Sequence, residues 1–186
     1  MTLKSNSFED FSSICLGINF NIGNYNKLGK NIFIGDNVRI GNYCIIEDGV
    51  FIGDGVIIEN YVLLKKNTQI GNDVFIDSYV RSSGDNIIED GVKIRYGATI
   101  AKKVVIKERA FISPNVMTIF STHEGKFLKD TIIGIEAFIG TAAVIGPGVE
   151  IGDKVVIGSM AFVSKDCIEI GKYVGVPAKL IEKVRL

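Results

Sequence analysis

The only histidine of this 186-residue chain, His123, is the side chain best suited to acid–base chemistry near neutral pH. It lies in the polar segment 122–130, THEGKFLKD. A neutral imidazole there could accept a proton from a hydroxyl or an ammonium group, whereas a loop histidine without chemistry is only a solvated side chain. The sequence around the loop decides between these two interpretations.

The segment 122–130 interrupts a six-residue repeat that runs through most of the chain. In residues 14–121 the third residue of each hexad is Ile or Leu, with Ser82 and Thr118 as the two exceptions. A second block begins at Thr131, out of phase with the first, so the segment between the blocks is an insertion. A loop that interrupts a regular repeat usually carries function rather than packing.

One hexad describes a short strand followed by a turn. Its first and third residues point to one side and its second points away, as in Val38, Arg39 and Ile40. The fourth residue is often Gly and the fifth often Asp or Asn, residues that favour turns. Such a short strand buries its apolar side only by stacking on the next coil. The sequence therefore predicts an all-β parallel β-helix, and a period of six excludes a helical repeat.

The composition excludes several classes of protein. Lys plus Arg and Asp plus Glu are equal at 21 each, which predicts no general attraction to nucleic acid or to an anionic membrane. No apolar run approaches the roughly 20 residues of a membrane helix, and residues 1–10 lack the apolar core of a signal peptide. Cys44 and Cys167 occupy positions of small aliphatic residues, so we expect buried, reduced thiols. We therefore expect a cytoplasmic protein without membrane insertion.

The repeats IGDNVRIGN at 34–42 and VEIGDKVVIG at 149–158 resemble those of the hexapeptide-repeat acyltransferases. The resemblance implies a left-handed β-helix with three hexads per coil, about eight coils in all, and a homotrimer with active sites between chains. We expect a single domain, 1–186. Its parts are a first block (14–121), a catalytic loop (122–130), an acetyl-CoA-binding block (131–177) and a cap (178–186). In the cap, Leu180, Ile181 and Val184 have the spacing of a short helix.

Residues 111–123, FISPNVMTIFSTH, resemble the segment that precedes the catalytic histidine of galactoside and maltose acetyltransferases. The resemblance implies that His123 is a general base, which deprotonates an acceptor hydroxyl for attack on acetyl-CoA. Lys93 stands where those enzymes have a substrate-binding Asn. The irregular hexad 81–86, RSSGDN, ends in Asn86 and either lines the acceptor site or forms a local bulge.

The second block resembles the acetyl-CoA half of the same enzymes in AFIGTA (137–142), VVIGSM (155–160), VSKD (163–166) and GVPAK (175–179). This resemblance implies that Thr141 and Ser159 hold pantetheine through backbone groups, with the Thr141 N–H facing the thioester oxygen. Lys165 and Lys179 would meet the 3′-phosphate. We expect no metal, since a catalytic zinc generally needs three protein ligands and the zinc enzymes of this fold use histidines.

The resemblance thus implies an acetyl-CoA-dependent O-acetyltransferase that acts on a saccharide, for example in surface polysaccharide synthesis. An N-acetyltransferase of a nucleotide-linked amino sugar is the alternative within this class, because Lys93 could favour a phosphate on the acceptor. A non-catalytic structural or sugar-binding solenoid is the alternative of another class. For the trimer, an aligned and mostly apolar outward column predicts the interface. It consists of Cys15, Phe33, Phe51, Gln69, Ile87 and Val105.

Overall fold

The computed structural model describes residues 5–183, which fold into a left-handed parallel β-helix of about nine coils. The predicted fold class is confirmed, with about nine coils rather than eight. The difference arises at the ends, because a strand at Ser7–Phe8 pairs with Lys27–Leu28 and adds to the first coil. No helix within residues 5–183 is long and apolar enough to span a lipid bilayer.

The strands, numbered in chain order, form three sheets that make the faces of a triangular prism. Sheet A contains β1 (Ser7–Phe8), β4 (Lys27–Leu28), β7 (Ile45–Ile46), β10 (Leu63–Leu64), β13 (Arg81–Ser82), β16 (Thr99–Ile100), β19 (Met117–Thr118), β22 (Val144–Ile145) and β25 (Phe162–Val163). Sheet B contains β2 (Cys15–Leu16), β5 (Phe33–Ile34), β8 (Phe51–Ile52), β11 (Gln69–Ile70), β14 (Ile87–Ile88), β17 (Val104–Ile106), β20 (Thr131–Ile133) and β23 (Glu150–Ile151).

Sheet C contains β3 (Asn21–Ile22), β6 (Arg39–Ile40), β9 (Ile57–Ile58), β12 (Phe75–Ile76), β15 (Lys93–Ile94), β18 (Phe111–Ile112), β21 (Phe138–Ile139), β24 (Val156–Ile157), β26 (Gly171–Val174) and β27 (Lys179–Lys183). The chain visits the sheets in the order A, B, C. We call its turns the A–B, B–C and C–A corners. A short 3₁₀ helix at Phe11–Ser13 lies between β1 and β2.

The structure buries and exposes side chains in the alternating pattern that the hexads predict. In β6, Arg39 is exposed and Ile40 is buried, and most strands repeat this pattern. The turns pack closely from coil to coil, so that a Cβ on Gly53 would lie 2.7 Å from both Asn72 Oδ1 and the Gly71 carbonyl carbon. Glycine at the fourth position is therefore required by the stacking of coils and not only by the turn.

The inward column contains the buried thiols expected from the sequence. Cys44 and Cys167 are both buried and unpaired. Burial raises the pKa of each thiol to about 11, because the thiolate would lose its hydration inside the β-helix. Both residues are therefore protonated packing residues at neutral pH.

The short helix predicted for 178–186 is wrong over the described residues. Lys179–Lys183 forms strand β27, which pairs antiparallel with β26. The last strand of a β-helix leaves a row of backbone groups unpaired, and a strand satisfies them where an isolated short helix could not. Val184, the third apolar residue of that prediction, lies outside the described residues.

Candidate active site

The predicted catalytic loop leaves the β-helix at the A–B corner, between β19 and β20. Its tip is a tight turn in which the Thr122 N–H donates to the Lys126 carbonyl (3.0 Å) and the Gly125 N–H donates to the Thr122 carbonyl (2.9 Å). His123 lies in this turn with 91% of its side chain exposed. Its Nε2 has a carboxylate oxygen of Glu124 at 3.8 Å. The imidazole is therefore accessible to a substrate from outside the chain.

The base of the loop is attached to the β-helix although its tip is free. Phe127 stacks on Phe120 with 5.2 Å between ring centroids, and Lys103 Nζ lies 4.8 Å from the Phe127 centroid. Lys129 Nζ lies 3.4 Å from Asp166 Oδ2. An aromatic stack and an ion pair thus fix the position from which the turn with His123 projects.

Two of the expected cofactor residues, Thr141 and Ser159, lie together at the C–A corner. Both are exposed, and they occupy neighbouring coils that are joined by a hydrogen bond from the Met160 N–H to the Thr141 carbonyl (2.9 Å). Within residues 5–183 neither the Thr141 N–H nor the Ser159 N–H has a protein acceptor. This corner therefore presents two backbone donors to solvent.

The two expected phosphate-binding lysines lie at different corners. Lys179 begins β27 and pairs with Val174 at the end of sheet C next to the C–A corner, so it is on the same side as Ser159. Lys165 lies at the A–B corner, next to Asp166 and hence near the base of the histidine loop. Sheet A lies between the two corners. A single chain therefore does not bring His123 next to the backbone donors of Thr141 and Ser159.

Lys93, expected to bind the acceptor, lies on the outer face of sheet C between Phe75 and Phe111. Its side chain is exposed. It belongs to neither of the two corners described above.

Asn86 does not line an open site. It is fully buried, and its Nδ2 donates to the Ala101 carbonyl (2.6 Å) while its Oδ1 accepts from the Ser82 hydroxyl (2.6 Å). The Ser82 hydroxyl in turn lies 2.8 Å from the hydroxyl of Thr68. The predicted acceptor-binding role of Asn86 is wrong in this chain, because the side chain is enclosed and its amide is already paired. The alternative interpretation, a local bulge, does not describe strand β13 either, because Arg81–Ser82 keeps the register of both neighbouring strands. The polar side chains of the hexad instead form hydrogen bonds with one another inside the core.

Asp85, a half-buried residue of that hexad, belongs to a charged surface. Hydrogen bonds from the Asn67 amide and from Lys102 lower the pKa of the Asp85 carboxyl below its usual value. Asp85 is therefore ionised at neutral pH and pairs with Lys102 at 3.0 Å.

The six-residue repeat did not predict a column of stacked tyrosines on the surface. Five tyrosines, which we call the tyrosine ladder, lie above one another at the C–A corner: Tyr25, Tyr43, Tyr61, Tyr79 and Tyr96. The first three contacts are stacked, with 4.9 to 5.0 Å between centroids. An 18-residue spacing of the first four is visible in the sequence once three hexads are known to make a coil.

Comparison with known proteins agrees with the repeat and the fold. Residues 31–66 and 130–165 match the family described as bacterial transferase hexapeptide (six repeats). No curated protein sequence matches the chain significantly.

Several solved structures are similar in fold. A UDP-N-acetylglucosamine acyltransferase from Campylobacter jejuni aligns with a TM-score of 0.84 at 19% identity, over 96% of this chain and 73% of the other. LpxA from Acinetobacter baumannii aligns with a TM-score of 0.72 at 14% identity, over 96% and 72%. The UDP-N-acetylglucosamine O-acyltransferase of Moraxella catarrhalis aligns with a TM-score of 0.63 at 15% identity, over 96% and 72%. At these identities the similarity shows the fold.

Proposed function

Because the chain belongs to the hexapeptide-repeat family, we propose that it is an acetyl-CoA-dependent O-acetyltransferase that acts on a saccharide. The observation that carries this proposal is the loop at 122–130. It interrupts an otherwise regular β-helix and holds the chain's only histidine on an exposed turn with an anchored base. A loop that served only to connect two strands would need neither the insertion nor the anchors.

In the proposed reaction His123 is the general base. Its neutral imidazole accepts the proton of a sugar hydroxyl while the hydroxyl oxygen attacks the thioester carbonyl of acetyl-CoA. The new bond joins the sugar oxygen to the acetyl carbon, and the carbon–sulfur bond breaks. The proton on the imidazole then passes to the CoA thiolate, which restores neutral His123. A sugar hydroxyl is a weak acid, so a base at the moment of attack accelerates the reaction by about 10²- to 10⁴-fold.

The two backbone donors at the C–A corner are suited to the acyl donor. The Thr141 N–H would donate to the thioester oxygen as it becomes negative, and the Ser159 N–H would bind an amide carbonyl of pantetheine. Both are exposed and have no acceptor within residues 5–183, so binding does not require that an existing hydrogen bond be broken. Lys165 and Lys179 would hold the 3′-phosphate of CoA. The proposed use of acetyl-CoA favours a reaction in the cytoplasm.

The proposed active form is a homotrimer with active sites between chains. The reason is that His123 and Thr141 lie at different corners of one chain, so a second chain must complete the site. Lys93, exposed on sheet C, is the proposed contact to the acceptor.

Release of CoA from acetyl-CoA tests this function, measured with a panel of sugars, sugar nucleotides and amino sugars. We expect turnover with a saccharide and a product whose acetyl group is removed by mild alkali, as an ester is. Absence of turnover with every saccharide, together with no thermal stabilisation by acetyl-CoA, would leave a non-catalytic solenoid as the better interpretation.

The exposed position of Lys93 favours a second candidate function, that of an N-acetyltransferase of a nucleotide-linked amino sugar. Its exposed ammonium group on the outer face of sheet C could pair with a phosphate of such an acceptor. An acetyl group that survives mild alkali would identify an amide and replace the O-acetyltransferase proposal with this one.

A further inference from the structure

We propose that sheet A faces the threefold axis of the trimer, and that the tyrosine ladder of each chain packs on the A–B corner of its neighbour. The inference rests on the proposed function, because the positions of the site residues determine which sheet must face the threefold axis. It adds what the function does not state, namely which surfaces of this chain meet.

The choice of face follows from the corners. In a ring of three parallel β-helices, the face toward the axis is bounded by two corners, and each of them meets the other corner of a neighbouring chain. His123 and Lys165 lie at the A–B corner, whereas Thr141, Ser159 and Lys179 lie at or beside the C–A corner. Sheet A is the face bounded by these two corners.

If either of the other two sheets faced the threefold axis, the residues of the proposed site would remain apart. With sheet B inward, the neighbour would present its B–C corner to His123, and that corner carries none of the proposed cofactor residues. With sheet C inward, the A–B corner and its histidine loop would point away from both neighbours. With sheet A inward, His123 and Lys165 of one chain share a groove with Thr141, Ser159 and Lys179 of the next.

The tyrosine ladder is a surface that the turns themselves do not require. Tyr25, Tyr43, Tyr61 and Tyr79 have φ between 57° and 63°, a conformation that bulky residues rarely adopt. At the other two corners the same position carries mostly Asn, Asp or Gly, as at Asn37. The four rings nevertheless remain 46 to 61% exposed. Stacking explains why the rings contact one another. Burial against a neighbouring chain would explain why their outer edges and hydroxyl groups are exposed in the single chain.

The A–B corner offers a surface that complements the ladder. Lys65, Lys66 and Lys102 line a recess of about 280 Å³ whose floor includes Ser83 and Gly84 of the irregular hexad. Gly84 has a φ of 97°, and a Cβ there would lie 2.9 Å from the Lys66 carbonyl oxygen. The recess therefore needs glycine. Carboxylates accompany these lysines, since Lys66 pairs with Asp48 (2.9 Å) and Lys102 with Asp85 (3.0 Å). A phenol hydroxyl both donates and accepts hydrogen bonds, so the ladder can bond to either kind of charged group.

The two surfaces also match in height. A threefold axis parallel to the β-helix keeps every residue at its own level, so each ladder residue meets the part of the neighbour that lies in the same coil. Tyr61 and Lys65 are in one coil, and Tyr79 and Ser83 are in the next. Tyr79 thus meets the floor of the recess.

The outward side chains of sheet A form two apolar groups that the centre of such a ring would bury. Ile45 and Leu63 make the upper group and Met117, Val144 and Phe162 the lower one, with Ile45 and Met117 43% and 49% exposed in the single chain. Arg81 and Thr99 separate the two groups. The sheet B column from Cys15 to Val105, expected from the sequence to be the interface, then lines the open groove between chains.

Cysteine cross-linking tests the arrangement without any assay of function. In a Cys15→Ser background, Tyr79→Cys combined with Ser83→Cys should give covalent trimers on oxidation, because each chain supplies one residue to either neighbour. Asp90→Cys with Ser83→Cys, which replaces the ladder residue by an exposed residue at the B–C corner of the same coil, should give none. Trimers from the control pair and not from the first pair would overturn the proposal, as would a wild-type monomer at micromolar concentration in light scattering.

A second measurement covers the case in which the cysteines disturb assembly. Tyr61→Ser with Tyr79→Ser should convert the trimer to monomers, whereas Phe33→Ser with Phe51→Ser should leave it intact. The opposite result would assign the interface to sheet B.

Mixing two inactive variants connects the assembly to the function. His123→Ala and Thr141→Arg chains, unfolded and refolded together in equal amounts, should recover roughly a quarter of the wild-type rate, because a mixed trimer has one intact site. No recovery, with an active wild type and correct cross-links, would mean that the trimer is right and the shared site is wrong. An inactive wild type with correct cross-links would reject the function and retain the interface.

Discussion

The C–A corner is built in two ways along the same β-helix. In the upper coils, residues 5–100, the Asn24 N–H donates to Asn42 Oδ1 (2.8 Å), the Asn42 N–H to Asn60 Oδ1 (2.9 Å) and the Asn60 N–H to Ser78 Oγ (3.3 Å). In the lower coils, residues 104–183, the N–H groups of Thr141 and Ser159 have no acceptor among the described residues.

The backbone is nearly the same in both regions. Tyr43 and Ala142, which follow Asn42 and Thr141, both have a φ of 57°. The difference lies in the side chain one coil below. In the upper coils it accepts a hydrogen bond from the backbone N–H, which closes this donor, and in the lower coils it does not, which leaves the donor open. One fold thus supplies a self-contained surface above and a surface with free donors below, and this difference suggests that chemistry belongs to the lower coils.

Removal of the histidine should have the largest effect. His123→Ala should lower kcat for acetyl transfer by about a thousandfold, within the range for loss of a general base. The melting temperature should not change, because the side chain is 91% exposed and lies outside the core. Steady-state kinetics and thermal unfolding of the purified variant measure the two quantities.

Glu124→Gln is the matched control for this variant, since it changes the neighbouring loop residue and keeps the imidazole. It should retain most of the activity. A His123→Ala enzyme with near-normal kcat would remove the general-base assignment.

A change in the polar core of the upper coils should affect stability and leave turnover intact. Asn86→Ala leaves the Ala101 carbonyl, the Ser82 hydroxyl and the Gly84 N–H without their partner. Unpaired buried polar groups cost about 1–3 kcal/mol each, so we expect a loss of about 3 kcal/mol in the free energy of unfolding. Chemical denaturation measures this loss.

Asn21→Ala, at an exposed position on sheet C, should change stability by less than about 0.5 kcal/mol. If Asn86→Ala kept its stability and instead raised KM for the acceptor, the buried amide would be a substrate ligand after all.

The repeat made most of the fold predictable, because each hexad is a local unit. The residue types of Val38, Arg39 and Ile40 predict which side chains point inward and which points outward. The glycine that follows predicts the turn. The C-terminal strand was not predictable in this way. It pairs antiparallel with β26 across residues 175–178, whereas the hexad pattern predicts only parallel strands stacked coil on coil.

The site was only partly predictable for a similar reason. The residue types at His123, Thr141 and Ser159 are visible in the sequence, but their corners follow only from three hexads per coil and from the length of the insertion. The sequence shows that Ser82 stands at an inward position where most hexads have Ile. The sequence does not reveal that Thr68, in the coil above, lies close enough to pair with it.

Charge reversal tests whether the lower coils hold the phosphate end of CoA. Lys165→Glu and Lys179→Glu should each raise KM for acetyl-CoA about tenfold, which corresponds to about 1.4 kcal/mol, with little change in kcat. The effect should be much smaller with acetyl-3′-dephospho-CoA, since the phosphate is absent.

Lys154→Glu provides the control, because Lys154 is an exposed lysine at the B–C corner, away from the proposed groove. Equal effects of Lys165→Glu on the two cofactors would exclude a contact with the 3′-phosphate.

The smallest expected effect bears most directly on the comparison between the two regions. Ser159 stands to Thr141 as Asn42 stands to Asn24, one coil below at the same corner. Ser159→Asn should place an amide oxygen against the Thr141 N–H and convert the open donor into a closed one. The kcat for acetyl transfer should then fall roughly fivefold, as expected for one lost hydrogen bond of about 1 kcal/mol, because the Thr141 N–H donates to the oxygen as it becomes negative.

The reciprocal change, Asn42→Ser, shortens the side chain that closes the Asn24 N–H and should cost about 1 kcal/mol of stability without any effect on kcat. Together the two substitutions exchange the properties of the two regions. If Ser159→Asn left kcat unchanged while hydrogen exchange showed the Thr141 N–H newly protected, the donor would be closed without consequence. The thioester would then have to bind elsewhere than at the Thr141 backbone.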